Sequence, residues 1–422
     1  MKRKNEEYRT CEPGIFNGFL YEVNIYSRFE SMIKSIKIFN LLAFLIAVAG
    51  FSSCSKDEPL EPPVKERLIL IYAVAANSLE TNLTLDKNEL LRVASSLNLN
   101  NNKVLVYQVD YSNKCILQEL RNDKGKGEFV TVREFPELPL SSSSERLSEV
   151  ITYVTQTYDY PFKGLVLWSH ATGWIPWFGG STPDENNENA SSDEKRKAFG
   201  QDKYNGTSYW MNIDDMAEAI PPGVFDFIWF DCCYMANIET IYQLKGKTDY
   251  VVGSVLEIAA DGMPYNLTMR YLLQRESKLR EAATEFFNYY NTNGVAVSVS
   301  ITDMANIDAL AEAAGNIFAQ GTPPDANTLS GIQNYERDLS VKFYDMGQLL
   351  RSYTGIDESL RDSLAEAFAL TVPLKLISDR DFGRRPIQTW EYSGLSMHNF
   401  IDNGSQNNNF YKMLEWFKAT RN

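Results

Sequence analysis

The segment FDFIWFDCCYMANIE (225–239) decides the reading of this chain: an apolar run ends in an acid and two thiols. A second segment, GLVLWSHATGW (164–174), has the same build and ends in a histidine. Both runs are short and rich in aromatic or branched side chains. That is the pattern of a strand buried on both faces of a parallel sheet. In open α/β sheets ligands bind at the C-terminal ends of the strands, so His170 and Cys233 fall where chemistry collects. The chain has only two histidines, which makes the position of this one informative. A thiol needs a base or a positive neighbour to become a thiolate near neutral pH. Imidazole, with an unperturbed pKa of about 6.5, suits that task. A structural histidine and a small buried thiol are the plainer alternatives, and the two segments alone leave them open.

Outward from these segments, strands at 68–76, 103–110, 250–255 and 295–303 join those at 164–168 and 225–230. Helical spacing marks 85–93, 211–220, 238–244, 267–290, 307–318, 346–353 and 360–370. Ser142 and Glu145 have capping-box spacing ahead of a stripe of Leu147, Val150, Ile151 and Val154. The alternation predicts an α/β fold, a three-layer sandwich with a mostly parallel central sheet and additional C-terminal helices. The polar stretch 179–208, between His170 and Cys233, reads as one long loop, a length that marks function or disorder. No linker divides the chain, which leaves one elaborated domain or a core with a helical appendage.

The chain has 422 residues, enough for a sizeable core. Its net charge of −14 argues against nucleic-acid binding. Five cysteines in this length make no disulfide framework, and the adjacent Cys232 and Cys233 are poorly placed for an ordinary bridge. There is no zinc spacing and no EF-hand, so neither cofactor nor metal is expected, and calcium dependence has no support in the sequence. The run LLAFLIAVAGF (41–51) follows Lys34 and Lys37 and precedes Ser52, Ser53 and Cys54. This is a secretory signal, too short for an ordinary transmembrane helix. Its end is similar to a bacterial lipobox with Cys54 as the lipidated residue. Residues 1–31 read as an extension ahead of a true start at Met32, 32–53 as signal peptide, 54–66 as lipidated cysteine and tether, and 67–422 as the functional domain. The acidic residues after Cys54 resemble a surface-export tag. The expected location is therefore the outer membrane of a Gram-negative bacterium, lipid-anchored and facing outward.

WSHATGW and FDCCYMANIE resemble the two catalytic segments of the clostripain family of cysteine endopeptidases, within the wider caspase, gingipain and legumain group. IYAVAANSLE (71–80), AFGQDKYNG (198–206), VVGSVLEIAADGMPY (251–265) and EYSGLSMHNF (391–400) are similar to further family segments, so the resemblance spans 68–400. It implies a caspase-like fold and cleavage of protein or peptide substrates after Lys or Arg. His170 is implied as general base, and Cys233 as nucleophile because it lies two positions after Asp231. The N–H groups of Ala171 and Cys233 are implied as the oxyanion hole. Asp231 and Asp261 are implied as acidic S1 residues that pair with the basic side chain. Lys195, Arg196 and Lys197 stand where family members cut themselves, so autolysis into two associated chains is expected. Ala171 replaces the family's glycine and would be strained at positive φ. Cys232 replaces an alanine and would compete or pair with the second thiol. These departures carry the rival reading, a catalytically weakened or inactive surface lipoprotein that binds peptide or polymer. The plain alternative for Asp231 is an N-cap of the helix from Met235, and His398 is expected to be structural or exposed.

Overall fold

Burial on both faces is what turns the apolar segments into neighbouring strands. The computed structural model describes residues 65–109, 114–177, 198–274, 278–336 and 341–421. Its strands are β1 (Arg67–Ala73), β2 (Lys103–Val109), β3 (Cys115–Asp123), β4 (Lys126–Phe135), β5 (Phe162–Trp168), β6 (Phe199–Tyr204) and β7 (Thr207–Met211). They continue with β8 (Phe225–Asp231), β9 (Thr248–Gly253), β10 (Ser298–Asp303), β11 (Tyr344–Asp345), β12 (Leu374–Ile377) and β13 (Ser396–Met397). The helices are α1 (Glu80–Val93), α2 (Ser144–Thr157), α3 (Ile213–Ala219), α4 (Ile238–Gln243), α5 (Tyr265–Leu272) and α6 (Leu279–Thr292). After them come α7 (Ile307–Gln320), α8 (Ala326–Gly331), α9 (Met346–Arg351), α10 (Glu358–Thr371), α11 (Gln406–Tyr411) and α12 (Glu415–Arg421).

Nine strands form one sheet in the order β12-β10-β9-β8-β5-β1-β2-β3-β4. The centre, β9-β8-β5-β1-β2, is parallel throughout. Antiparallel strands close both edges. Alternation along the strands sorts side chains into two cores. Leu68, Leu70, Leu165, Leu167, Ile228 and Phe230 face helices α2, α3, α4 and α7. Ile69, Ile71, Val166, Trp168, Phe227 and Trp229 face α1, α5 and α6. This is the expected α/β sandwich, and from Pro63 onward the chain packs as a single compact unit. The C-terminal helices belong to it, with α12 packed on α7 and α4, and α10 on α7. Among the described residues no helix is long and apolar enough to cross a membrane.

Several local readings need correction. The hairpin of β3 and β4 was invisible as alternation because β4 is largely solvent-facing. The polar stretch 179–208 is not loop to its end: from Phe199 it forms the β6–β7 hairpin, with Asn205 and Gly206 at positive φ in the turn. The helix expected over 267–290 is two helices, α5 and α6. Ser143, not Ser142, caps α2 by accepting from the Arg146 N–H, while the Ser142 N–H goes to Asp202.

Gly164 lies where β5 runs under its neighbours. A Cβ there would stand 2.3 Å from the Phe227 ring and 2.8 Å from Ile69 Cδ1. Both neighbours are fully buried. Gly164→Ala is therefore expected to cost about 3 kcal/mol through overpacking. Urea unfolding checks this, and an unchanged midpoint would contradict it.

Candidate active site

Trp168 of β5 pairs with Asp231 of β8 across the sheet. His170 and Cys233 each stand two residues beyond that shared level, at the C-terminal edge. Both line one cleft of 310 Å³.

The loop carrying His170 is tied down on two sides. The Gly200 N–H donates to the His170 carbonyl at 3.0 Å, and the Thr172 N–H to that of Ala198 at 3.1 Å. Ser169 Oγ donates to the Val74 carbonyl at 2.6 Å. The Asn77 amide spans the carbonyls of Val74 and Gln201 at 3.0 and 2.7 Å. Ser78 then brings its hydroxyl to 2.9 Å from His170 Nε2, which fixes the ring's orientation. Ala171 does not take positive φ, so the strain expected there is absent. The turn is made instead by Gly173 at φ +66, where a Cβ would meet Asn237 Nδ2 at 2.5 Å. Among the described residues, neither the Ala171 N–H nor the Cys233 N–H has a backbone acceptor.

After β8 the chain turns sharply through its two cysteines. Tyr234 adopts φ +61, a costly conformation for a non-glycine residue. Its N–H donates to the Leu256 carbonyl at 3.1 Å, and the Ala236 N–H to that of Ser254 at 2.9 Å. Cys233 is half-buried, and its Sγ accepts the Ile258 N–H at 3.3 Å. Burial pushes this thiol up to about 11; the Ile258 N–H opposes the rise, while Glu257 and Asp231 add to it. At rest Cys233 is thus a thiol. Cys232 is 2 % exposed, and its Sγ lies 3.7 Å from the Leu167 carbonyl. Both cysteines are free. Cys232 therefore forms no vicinal disulfide; it lines the cleft too, but burial holds its thiol well above the ordinary cysteine value.

The floor of the cleft is acidic. Asp231 is 4 % exposed. Its Oδ2 accepts the Met263 N–H and the Tyr265 hydroxyl, each at 3.0 Å, while Oδ1 has no partner. Burial raises its pKa to about 6 against those two hydrogen bonds, with Glu89 adding to the rise. Asp231 is no helix cap, because α4 begins at Ile238 and is capped by Asn237, whose side chain accepts the Thr240 N–H at 3.0 Å. Gly262, at φ +60, lies over the carboxylate, and a Cβ there would approach Oδ2 to 3.0 Å. Asp261 is exposed, and its Oδ1 lies 3.5 Å from Asn82 Nδ2. Its neighbours Ala260 and Gly262 line the cleft.

Four residues at the site escaped the sequence reading: Ser78, Asp86, Glu257 and Phe382. Asp86 accepts the Trp168 indole N–H at 2.9 Å. It had a signal, an acid set between Leu83 and Leu90 on the buried stripe of α1. Phe382 lines the cleft from a distant loop and had none, and Glu257 lies within the 251–265 segment without being singled out there. His398 is structural: it sits between Trp174 and Tyr411, and burial lowers it to about 4. Lys195, Arg196, Lys197 and Cys54 lie outside the described residues. Among the described residues no group of three or more His, Cys, Asp or Glu is arranged to hold a metal ion.

The clostripain family model matches residues 71–413. No curated protein sequence matches the chain. A secreted C11 cysteine protease from Bacteroides thetaiotaomicron, solved with an irreversible peptide inhibitor, is 26 % identical; the match covers 84 % of this chain and 99 % of that one, with a TM-score of 0.72. An inactive zymogen C11 protease from Parabacteroides distasonis is 25 % identical over 85 % of this chain and 99 % of that one, with a TM-score of 0.71. The match runs from the first strand past the cleft residues to the C-terminal helices, and the chain belongs to the clostripain family, as a cysteine-type peptidase that acts on peptide or protein substrates.

Proposed function

We propose that this protein is an exported endopeptidase that cleaves after Lys or Arg with a Cys233–His170 dyad. The observation that carries the reading is one cleft that holds an imidazole, a thiol and a buried carboxylate with an unpartnered oxygen. A cationic side chain satisfies that oxygen and offsets its buried charge, which a neutral side chain does not.

His170 takes the Cys233 proton as sulfur attacks the scissile carbonyl carbon, and the oxyanion forms. The N–H groups of Ala171 and Cys233 are the donors assigned to it, consistent with their lack of backbone acceptors. The imidazolium then protonates the leaving amine, which departs and leaves a thioester. Water, deprotonated by His170, attacks that thioester; the acid product leaves and the thiol regains its proton. A resting thiol rather than thiolate means that proton removal belongs to the reaction step and is not completed beforehand. Asp261, exposed beside Gly262, extends the negative surface toward the incoming side chain. In this reading the protein is lipid-anchored through Cys54 and is activated by a cut at Lys195, Arg196 or Lys197. The zymogen state of one similar structure supports that order of events.

Cys233→Ala is expected to abolish hydrolysis of an Arg-P1 fluorogenic peptide, a loss of at least about a thousandfold, with the fold intact by circular dichroism. Cys232→Ala is expected to stay within about threefold of wild type, since its thiol is buried against the Leu167 carbonyl. The reverse pattern would reassign the nucleophile.

Asp231 carries its charge only above about pH 6. Its folded pKa is raised, so the anion is lost as pH falls through that value. kcat/KM for Arg and Lys substrates is therefore expected to fall on acidification through about 6 more steeply than for an Ala-P1 twin, and Asp231→Asn should remove the difference. Parallel profiles for the two substrates would contradict the pairing.

A further inference from the structure

Asp86 is a carboxyl in the wrong kind of place. It is 3 % exposed on the inward stripe of α1, where Leu83 and Leu90 flank it one turn away on either side. Its Oδ2 accepts the indole N–H of Trp168, the residue paired with Asp231 across the strands. The indole links the two acids: a Cβ on Gly262 would stand 3.0 Å from Asp231 Oδ2 and 3.3 Å from Trp168 Nε1, and that same nitrogen donates to Asp86. The Asp86–indole hydrogen bond thus ends against the cleft floor. The other groups that face this cluster are Glu89 from α1, Asp261 from the loop after β9, and the hydroxyls of Tyr265 and Tyr290. Of the cations on α1, Lys87 donates to Gln108 and Gln118 at 2.8 and 2.6 Å, and Arg92 is 60 % exposed and pairs outward with Glu89.

Two buried acids on either side of one indole cannot both ionise cheaply. Burial, with Asp231 adding to it, holds the Asp86 carboxyl protonated up to about 9, against the indole hydrogen bond that favours the anion. The mechanism of cleavage makes no use of this proton.

We propose that Asp86 is a second, proton-bearing carboxyl beneath the basic-residue pocket, and that a cationic substrate side chain entering beside Asp231 drives this proton out to solvent. The inference rests on the proposed preference for Lys or Arg. The cation stabilises the Asp86 anion and so lowers its pKa in the complex; by linkage, binding of the cation strengthens as pH rises toward the free-state value. Asp231 ionises near 6 and Asp86 near 9, so affinity for a basic residue keeps rising between those two values. Asp86 acts through the Trp168 indole and the field at Asp231, and is a positioning residue for the pocket.

The test is calorimetric, on full-length mature protein carrying Cys233→Ala so that peptide is not turned over. An Arg-P1 peptide and its Ala-P1 twin are titrated at mildly alkaline pH in phosphate and in Tris, whose ionisation enthalpies differ. The expected result is release of about one proton with the Arg peptide and none with the Ala peptide. Asp86→Asn keeps a carbonyl acceptor for the indole, and should abolish the release while the Arg peptide still binds more tightly than its twin. Independently of any change at Asp86, the release should fade above about pH 9, where Asp86 is already ionised. Equal release in Asp86→Asn, no release in the parent, or release that persists unchanged above that pH would overturn the proposal and leave the basic preference standing. An Arg peptide that binds no better than its Ala twin would instead overturn that preference, and the proposal with it.

Discussion

The parallel pairing of β5 with β8 is the constraint on which the site depends. Gly164 opposite Phe227 starts a register that ends with Trp168 opposite Asp231. Paired residues of parallel strands share a face, so the tryptophan and the acid project together toward α1 and α5. The chains that emerge above them carry His170 and Cys233 to the same edge. A slip of one residue would send Asp231 into the opposite core. The filled interior on both faces prevents that slip, because every side chain in the register would change partners. Packing deep in the sheet thus fixes where the two adjacent thiols stand at the cleft.

The site is held from outside the sheet as well. The β6–β7 hairpin braces the histidine loop through Gly200 and Gln201. The segment 254–258 holds the cysteine loop through Ser254, Leu256 and Ile258, and the Ser254 hydroxyl is tied to Ser298 of β10 at 2.7 Å. Strain at Tyr234 persists because these contacts over-determine the turn. Tyr234 also packs its ring 5.8 Å from Phe343, which links the nucleophile turn to the C-terminal half of the chain. The segment around Phe343 therefore buttresses this turn from outside the sheet.

Elements with both faces buried were the most legible in the sequence. Each parallel strand announced itself as an apolar run, and the two reactive strand ends followed from histidine scarcity and the Asp-Cys-Cys triplet. The β3–β4 hairpin was not legible, since a half-exposed edge strand such as β4 mixes charged and apolar residues. Boundaries failed where a side chain chose between equivalent partners: Ser142 and Ser143 have the same chemistry, and Asp202, sixty residues away, decided between them. Ala171 looked strained only because the glycine that turns this loop, Gly173, sits two residues later. Phe382, which reaches the cleft from a distant loop, carries no local pattern at all, because the fold alone brings it there. Asp86 lies between these cases, a polar residue on an apolar stripe that sequence patterning flags without naming its partner.

The electrostatics of the cleft join these pieces. Glu257 and Asp231 both raise the Cys233 thiol, so the empty site disfavours the thiolate it needs. A thiol held protonated is slow to oxidise or alkylate. The same negative field draws a basic side chain toward the floor. Once a cation pairs with Asp231, one of the two charges that oppose thiolate formation is offset, and the barrier to proton transfer to His170 falls with it. Under the proposed reading, substrate recognition and nucleophile activation therefore share one carboxylate, and a neutral residue at the same position neither satisfies Asp231 nor eases ionisation of Cys233. Selectivity of this kind acts on the chemical step as well as on binding, and it follows from placing the acid at the end of a buried strand, two residues before the thiol.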